Sequence, residues 1–248
     1  MLLILPPSET KRDGGASGSR LDLAALSFEA LTPQRVTALK ALATLSRNLR
    51  LATGALSLGP TQQHEVLRNR EVLTSPLMPA LDRYTGVLYD GLQAEQLTAA
   101  ERDFANGHIA VHSALFVLLS AADLIPAYRL SHNSRLPGLS LGRHWRPGIS
   151  AELAARSELL LDLRSEAYAS LGPAPRCEGS YYIRVVSLGP SGRRTALSHF
   201  NKKAKGEFTR AVLAAGVDHP NVESLLAWAR ADRIMLELGA PGELDLVV

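Results

Sequence analysis

A mixed α/β domain with a central mixed sheet and flanking helices is what this sequence predicts, on three observations. The chain opens on a short, wholly apolar run, Met1-Leu2-Leu3-Ile4-Leu5, closed by Pro6-Pro7, which reads as a buried strand. Short runs rich in β-formers then recur between stretches with helical periodicity and recognisable caps. No internal repeat or low-complexity linker divides the 248 residues, so a single domain is expected over 1–248.

Taken in order, Pro6 to Gly15 is a polar loop carrying Ser8, Glu9, Lys11 and Arg12 at a strand end, where an α/β sheet places ligands. A plain surface loop is the alternative. Thr32-Pro33 reads as an N-cap followed by proline at the first helical position, and Val36, Leu39, Leu42, Ala43 and Leu45 give that helix an apolar face. Thr53-Gly54-Ala55-Leu56 and Leu58-Gly59-Pro60 break the chain before a second helical stretch, Gln62 to Val72. Such a pair suits phosphate contact by backbone amides, or a structural αα-hairpin.

Ser75-Pro76 starts a further short helix, and Thr85 to Leu92 reads as a strand ending in a tight turn. Thr98 and Glu101 have capping-box spacing for a helix over Ala99–Asn106, closed by Gly107. His108 to His112 alternates like a strand, Leu115 to Leu119 is an apolar core run, and Arg129 to Gly148 reads as a Gly/Pro/Arg-rich connection. A strand follows at Leu159–Leu163 and a short helix from Ser165. Tyr181–Leu188 and Arg194–Phe200 form a hairpin across Gly189-Pro190-Ser191-Gly192. Helices over Asn201–Ala215 and Asn221–Ala231 and strands at Ile234–Leu238 and Glu243–Val248 complete the chain.

Hydrophobic residues make up 46% and charged residues 21%, the balance of a soluble globular protein. The opening apolar run is too short for a signal peptide, and no run approaches the length of a membrane span. Cys177, the single cysteine, excludes an internal disulfide framework, an intrachain redox pair and a cysteine-rich zinc site. The expected setting is the reduced cytoplasm, with no membrane partner.

Charge is segregated. Leu31–His64 holds Arg35, Lys40, Arg47 and Arg50 without an acid, and Leu124–Ala151 holds Arg129, Arg135, Arg143 and Arg146 without one. Gly179–Gly206 holds Arg184, Arg193, Arg194, Lys202, Lys203 and Lys205, again without an acid. These windows contain 14 of the 27 cations and none of the 24 carboxylates. If they meet in the fold they build a one-sign surface; if not, they are separate solvated faces. Three of only five lysines fall in Asn201-Lys202-Lys203-Ala204-Lys205-Gly206, at a helix start where the dipole favours anions. Cations there are locally unfavourable unless something negative meets them.

His108 and His112 have the spacing of a helical metal pair, but the segment reads as extended and no Glu adjoins His108, so no metal is expected. Neither a Gly-rich dinucleotide loop, a Walker loop nor a Gly-x-Ser-x-Gly elbow is present, and no cofactor is expected. The polar residues at predicted strand ends are Ser8, Lys11, Tyr89, Asp90, Arg129, Ser165, Glu166, Lys202 and Lys205. Strand ends converge in such a fold, so these describe a possible cationic cleft, with the capping of helices and loops as the alternative for each. A lysine among other cations there has the makings of a base or nucleophile.

From Tyr89-Asp90-Gly91-Leu92 onward the chain is similar to the peroxide-stress protein YaaA family. The likeness continues at Asp103-Phe104-Ala105 with His108, at Ala122 to Leu130, at Trp145, at Leu163-Arg164-Ser165-Glu166-Ala167-Tyr168 and most specifically at Phe200-Asn201-Lys202-Lys203-Ala204-Lys205-Gly206. The first strand with Pro7 and a nearby lysine fits as well. Matching positions are Tyr89, Gly91, Leu92, Arg129, Ser165, Tyr168, Lys202, Lys203, Lys205 and Gly206; Asp90, His112 and Ala167 depart from the pattern. The resemblance implies hydrogen-peroxide resistance, limited iron-dependent damage, DNA binding and a single α/β domain with a helix-hairpin-helix-like element. Around Gly54 only one of that element's two glycines is present.

Two readings follow. One is a cytoplasmic protein holding double-stranded DNA non-specifically by backbone contacts through Lys11, Arg35, Lys40, Arg47, Arg50, Arg129, Arg194, Lys202, Lys203 and Lys205. The other is an enzyme acting on a small anionic or nucleotide-like ligand, with Lys202, Ser8, Tyr89 and Ser165 as catalytic candidates.

Overall fold

The computed structural model of the protein describes residues 1–188, 194–196 and 201–248. Its frame is set by the opening strand β1 (Leu2–Leu5), buried at every position. A 3₁₀ turn at Glu29–Leu31 leads into α1 (Thr32–Ser46), followed by α2 (Leu49–Ala55), a 3₁₀ turn at Pro60–Gln62, and α3 (His64–Arg70). Then come β2 (Met78–Pro79), α4 (Ala80–Arg83), α5 (Val87–Leu92), α6 (Ala99–His108), β3 (Ile109–Ser113), β4 (Val117–Ser120) and β5 (Leu124–Ile125). The second half runs α7 (Leu141–Ala154), β6 (Leu160–Asp162), α8 (Glu166–Ala169), β7 (Ser180–Leu188), β8 (Arg194–Ala196), α9 (Asn201–Ala215), α10 (Val222–Ala231), β9 (Leu236–Leu238) and β10 (Glu243–Val247).

The main sheet is mixed, in the order β4-β3-β1-β6-β7-β10-β9, with β8 also pairing β7. Its five inner strands are parallel; β4, β9 and β8 pair antiparallel. Parallel strands must be covered on both faces, and β1, β3 and β6 are accordingly buried throughout. β2 and β5 form a small separate ladder.

Several expectations are corrected. Thr85–Leu92 is not a strand: Gly86 (φ 97°) turns the chain into α5. The short helix expected at Ser75-Pro76 is the strand β2 and then α4. The supposed connection through Gly148 contains α7, with Pro147 in its interior. Gly54 lies inside α2, and the break between α2 and α3 runs from Leu56 to Gln63. Thr32 is the first residue of α1, not its cap, since the 3₁₀ turn feeds directly into the helix. The turn at Gly189–Gly192 and the segment Leu197–Phe200 lie outside the described residues.

The motif glycines have a packing role. A Cβ at Gly206 of α9 would lie 2.0 Å from the Leu88 carbonyl oxygen of α5. A Cβ at Gly91 would lie 2.9 Å from the Lys203 carbonyl oxygen. The two helices therefore touch backbone to backbone, which only residues without a Cβ permit.

Candidate functional site

The C-terminal ends of β1, β3 and β6 lead into Pro6–Lys11, Ser113–Phe116 and Leu163–Tyr168, the edge at which parallel strands present ligand sites. Lys11, Tyr89 and Arg129 do come together there. Lys11 is buried, donating to the carbonyls of Ser8 (3.0 Å) and Glu9 (3.2 Å) while its ammonium lies 4.2 Å from the Tyr128 ring centre and 5.3 Å from that of Tyr84. A cation over aromatic faces retains some stabilisation without water. Tyr84 and Tyr128 share a hydroxyl contact of 2.9 Å, and Ser113 Oγ lies 2.7 Å from the Tyr128 hydroxyl. Tyr89 stacks on Tyr84 and donates to the Pro6 carbonyl at 2.8 Å.

At the mouth of this cluster Glu9 pairs with Arg129 and accepts from Ser131 Oγ at 2.8 Å. Asn69 fixes the Arg129 backbone from both sides, accepting its N–H at 2.7 Å and donating to its carbonyl at 2.8 Å. Burial works against the Glu9 carboxylate, but the Ser131 hydroxyl and Arg129 hold its pKa below the usual range. Burial pushes the tyrosines Tyr84, Tyr89, Tyr128 and Tyr168 upward, keeping their hydroxyls protonated.

Lys11 is pushed down to about 7, first by burial and then by the Arg129 charge, with Glu65 and Glu9 opposing. Its folded value lies below the unfolded 10.5, so between the two the unfolded chain binds more protons and stability rises with pH across that window. Lys11→Met should therefore stabilise the protein by roughly 2 kcal/mol at pH 7, after the loss of two hydrogen bonds. That advantage should shrink steadily towards pH 10. Chemical denaturation at pH 7, 8.5 and 10 measures it; an advantage independent of pH would show that Lys11 is folded as an ordinary ammonium.

A second buried group lies beside the first. Arg164 donates through Nε and Nη2 to the two oxygens of Asp162 (2.8 and 2.7 Å), through Nη1 to the Gly172 carbonyl (3.0 Å) and to His112 Nδ1 (3.1 Å). An arginine only donates, so His112 is neutral with its proton on Nε2. Burial, then Arg164, pushes the His112 pKa well down. Lys205 donates to the Arg164 carbonyl at 3.3 Å and sits 5.0 Å from the Tyr182 ring centre. Burial pushes it down to about 8 against Asp162 and Glu166.

The remaining candidates scatter. Ser8 stands at the margin, 3.2 Å from Thr10 Oγ1. Ser165 is the N-cap of α8, its oxygen accepting from Tyr168 N. Lys202 and Lys203 are exposed on the first turn of α9, Lys203 paired with Glu207 at 3.3 Å. That ion pair, with Lys205 turned inward, relieves the cations gathered at a positive helix end. A groove of about 940 Å³ is lined by Asp162, Glu166, Glu178 and Glu243 with Arg176 as its cation. It is acidic, and Ser8, Lys11, Tyr89, Arg129 and Lys202 do not line it.

Burial withdraws four cations from the solvent-facing set: Lys11, Arg35, Arg129 and Lys205. Arg35 is a strut. It donates to the carbonyls of Phe116 (2.9 Å) and Leu118 (2.7 Å), either side of Val117, which has φ 66°. A β-branched residue in that region is strained, and the guanidinium clamps it. Lys40 is exposed on α1, Arg47 just after it and Arg50 on α2. Arg70 donates to the Ser46 carbonyl at 2.6 Å, placing its charge at the C-terminal end of α1. The second basic window meets this surface, for Arg135 N–H donates to the Ala55 carbonyl at 2.9 Å and His144 Nε2 lies 2.9 Å from the Gln34 carbonyl. The third window lies elsewhere: Arg184 is on β7, paired with Glu243, and Lys202, Lys203 and Lys205 are on α9, which packs against α5, α6 and β7. Arg194 is in β8, its side chain outside the described residues.

Sequence reasoning missed Tyr84, Tyr128, Ser113 and Ser131, because single aromatics and hydroxyls between apolar residues look like core and caps. Adjacency to Arg129 was the signal available for Tyr128 and Ser131.

Comparison with known proteins adds identity to this geometry. A family profile described as "Peroxide stress protein YaaA" matches residues 1–232. A UPF0246 protein of Corynebacterium efficiens is 39% identical over 255 residues, covering all of both chains. Another, of Corynebacterium glutamicum, is 40% identical over 244 residues, spanning 96% of this chain and 95% of its own. A UPF0246 protein of Streptomyces coelicolor is 37% identical over 247 residues, with 98% and 94% covered.

Proposed function

Since the chain belongs to the peroxide stress protein YaaA family, we propose that it serves the oxidative-stress response by holding duplex DNA non-specifically and limiting iron-dependent damage to it. The observation that carries this reading is the hydrogen bond from Arg135 N to the Ala55 carbonyl. It brings two acid-free windows into contact, with Lys40, Arg47, Arg50 and Arg135 of those windows exposed and Arg70 exposed beside them at the end of α1, which supports a shared phosphate-facing surface. Guanidinium groups on such a face suit phosphate oxygens, whatever the base sequence. The α2–α3 pair lies within this surface, and its connecting segment would act as the helix-hairpin-helix-like element by lending backbone amides.

Fluorescence anisotropy with a labelled duplex, across salt concentrations, tests this. Each phosphate contact contributes about 0.9 to the slope of log K against log salt. The triple variant Arg47→Ala, Arg50→Ala, Arg135→Ala should therefore lower that slope by about 3 and weaken binding at least tenfold near 0.1 M salt. Unchanged affinity and slope would remove this face from DNA binding.

The enzymatic reading keeps one observation of its own, the buried amine of Lys11 with its pKa near neutrality among tyrosine hydroxyls. On this geometry the base or nucleophile would be Lys11, since Lys202 is exposed.

A further inference from the structure

Arg129 is a buried residue whose side chain is only 10% exposed, and its partner Glu9 is 53% exposed. The cationic half of the pair is thus built into the protein, with its backbone fastened by Asn69. The anionic half reaches in from the loop after β1. The pairing is also incomplete. Nε and Nη2 of an arginine form one edge, able to hold two oxygens of the same anion side by side. Glu9 takes Nη2 with Oε2 and the Glu9 carbonyl takes Nη1 at 3.4 Å, while Nε is buried with no acceptor among the described residues. A buried unsatisfied donor is destabilising, so its persistence calls for an explanation.

The other Glu9 oxygen is held by Ser131 Oγ at 2.8 Å, and His132 Nδ1 lies 3.5 Å from the same hydroxyl. Lys11 lies alongside, donating to two carbonyls with its ammonium over the Tyr128 ring, and its charge acts on the Glu9 carboxylate. A planar carboxylate with two oxygens satisfies Nη2 and Ser131 and can reach no further. A tetrahedral group with three oxygens would span the Nε–Nη2 edge and Ser131 together.

We propose that Arg129, Ser131 and Lys11 form a seat for a phosphoryl group, which the Glu9 carboxylate occupies as a stand-in when no ligand is bound. The ligand is a phosphate monoester or inorganic phosphate, and it enters by displacing the Glu9 side chain towards solvent. The seat does not depend on the DNA-facing surface, since it uses buried cations which that surface does not share.

Isothermal titration with inorganic phosphate, and separately with a nucleoside 5′-monophosphate, tests the seat on the full chain. Glu9→Ala should bind phosphate at least tenfold more tightly than the unaltered protein, because it removes both the occupant and its repulsion. Glu9→Gln, which keeps the side chain but not the charge, should gain less. Adding Arg129→Met to Glu9→Ala should abolish the gain. Tighter binding of the nucleotide than of phosphate would identify a monoester ligand, and equal binding the free anion. The proposal is overturned if neither Glu9 variant gains affinity, or if the gain survives loss of Arg129. Should the double variant fail to fold, Glu9→Ala with Ser131→Ala takes its place, and the gain should fall at least threefold.

Discussion

Gly206→Ala should lower the melting temperature by roughly 6–12 °C, the size expected for about 3 kcal/mol in a chain of this length. The added methyl would stand 2.0 Å from the Leu88 carbonyl oxygen and 2.9 Å from its carbon. Both are backbone atoms, so no side chain can rotate aside, and α5 and α9 must move apart. The contact they lose includes buried Leu88, Leu92, Ala204 and Phe208. Gly107→Ala is the matching control. Gly107 is an exposed residue of α6 with nothing within 4 Å of its added Cβ, and there alanine should stabilise by about 0.5–1 kcal/mol through propensity alone. Differential scanning calorimetry of both variants decides it. A Gly206→Ala protein that melts with the unaltered one would show that α5 and α9 are not in backbone contact.

Asp162→Asn should be about as severe, at roughly 3–5 kcal/mol. Arg164 is fully buried, and Asp162 is its carboxylate partner among the described residues, accepting two hydrogen bonds from the guanidinium and a third from the Arg164 backbone N–H. The amide keeps the shape but leaves a guanidinium charge uncompensated in the core. It also removes the carboxylate that opposes the downward shift of Lys205. Replacing both partners together, Asp162→Leu with Arg164→Met, should recover most of the loss, because a matched apolar pair leaves no orphan charge. Urea denaturation measures all three proteins. A single variant within 1 kcal/mol of the parent would mean that Arg164 reaches water.

Where local chemistry decides conformation, the sequence was readable. Thr98 and Glu101 form the reciprocal cap of α6, Asn221 caps α10, and α9 spans Asn201–Ala215 as expected. Distant contacts defeated it elsewhere. Val87, Leu88 and Tyr89 favour a strand by propensity, yet the segment is helical because Gly91 must meet α9. Gly142, Pro147 and Gly148 disguise α7 as a loop. A Cβ at Gly148 would come within 2.7 Å of Leu31 and 2.8 Å of Gln34, so the apparent breaker is there to let α7 approach α1.

The same division holds for the site. Of the three cations and hydroxyls that converge, only Lys11 arrives as a main-sheet strand end predicts, from the loop after β1; Tyr89 comes from α5, where a strand was expected, and Arg129 from the segment after β5 of the small separate ladder. Which cations face solvent did not, because Arg35 and Lys205 differ from Lys40 and Lys202 only in what their helices pack against. The Glu9 carboxylate was visible as a loop charge, but its role depends on Ser131, 122 residues away.

The position of β1 carries a consequence for how the protein is made. Its two neighbours in the sheet are β3 at residues 109–113 and β6 at residues 160–162, so neither side of Leu2–Leu5 can pair until those have been synthesised. At elongation rates of about 5–20 residues per second, β3 follows β1 by roughly 5–20 s and β6 by roughly 8–30 s. Until β3 is made, Leu2–Leu5 stay apolar and without a strand to pair with. The protein is thus committed to closing its sheet late, around a strand made well before either of its partners.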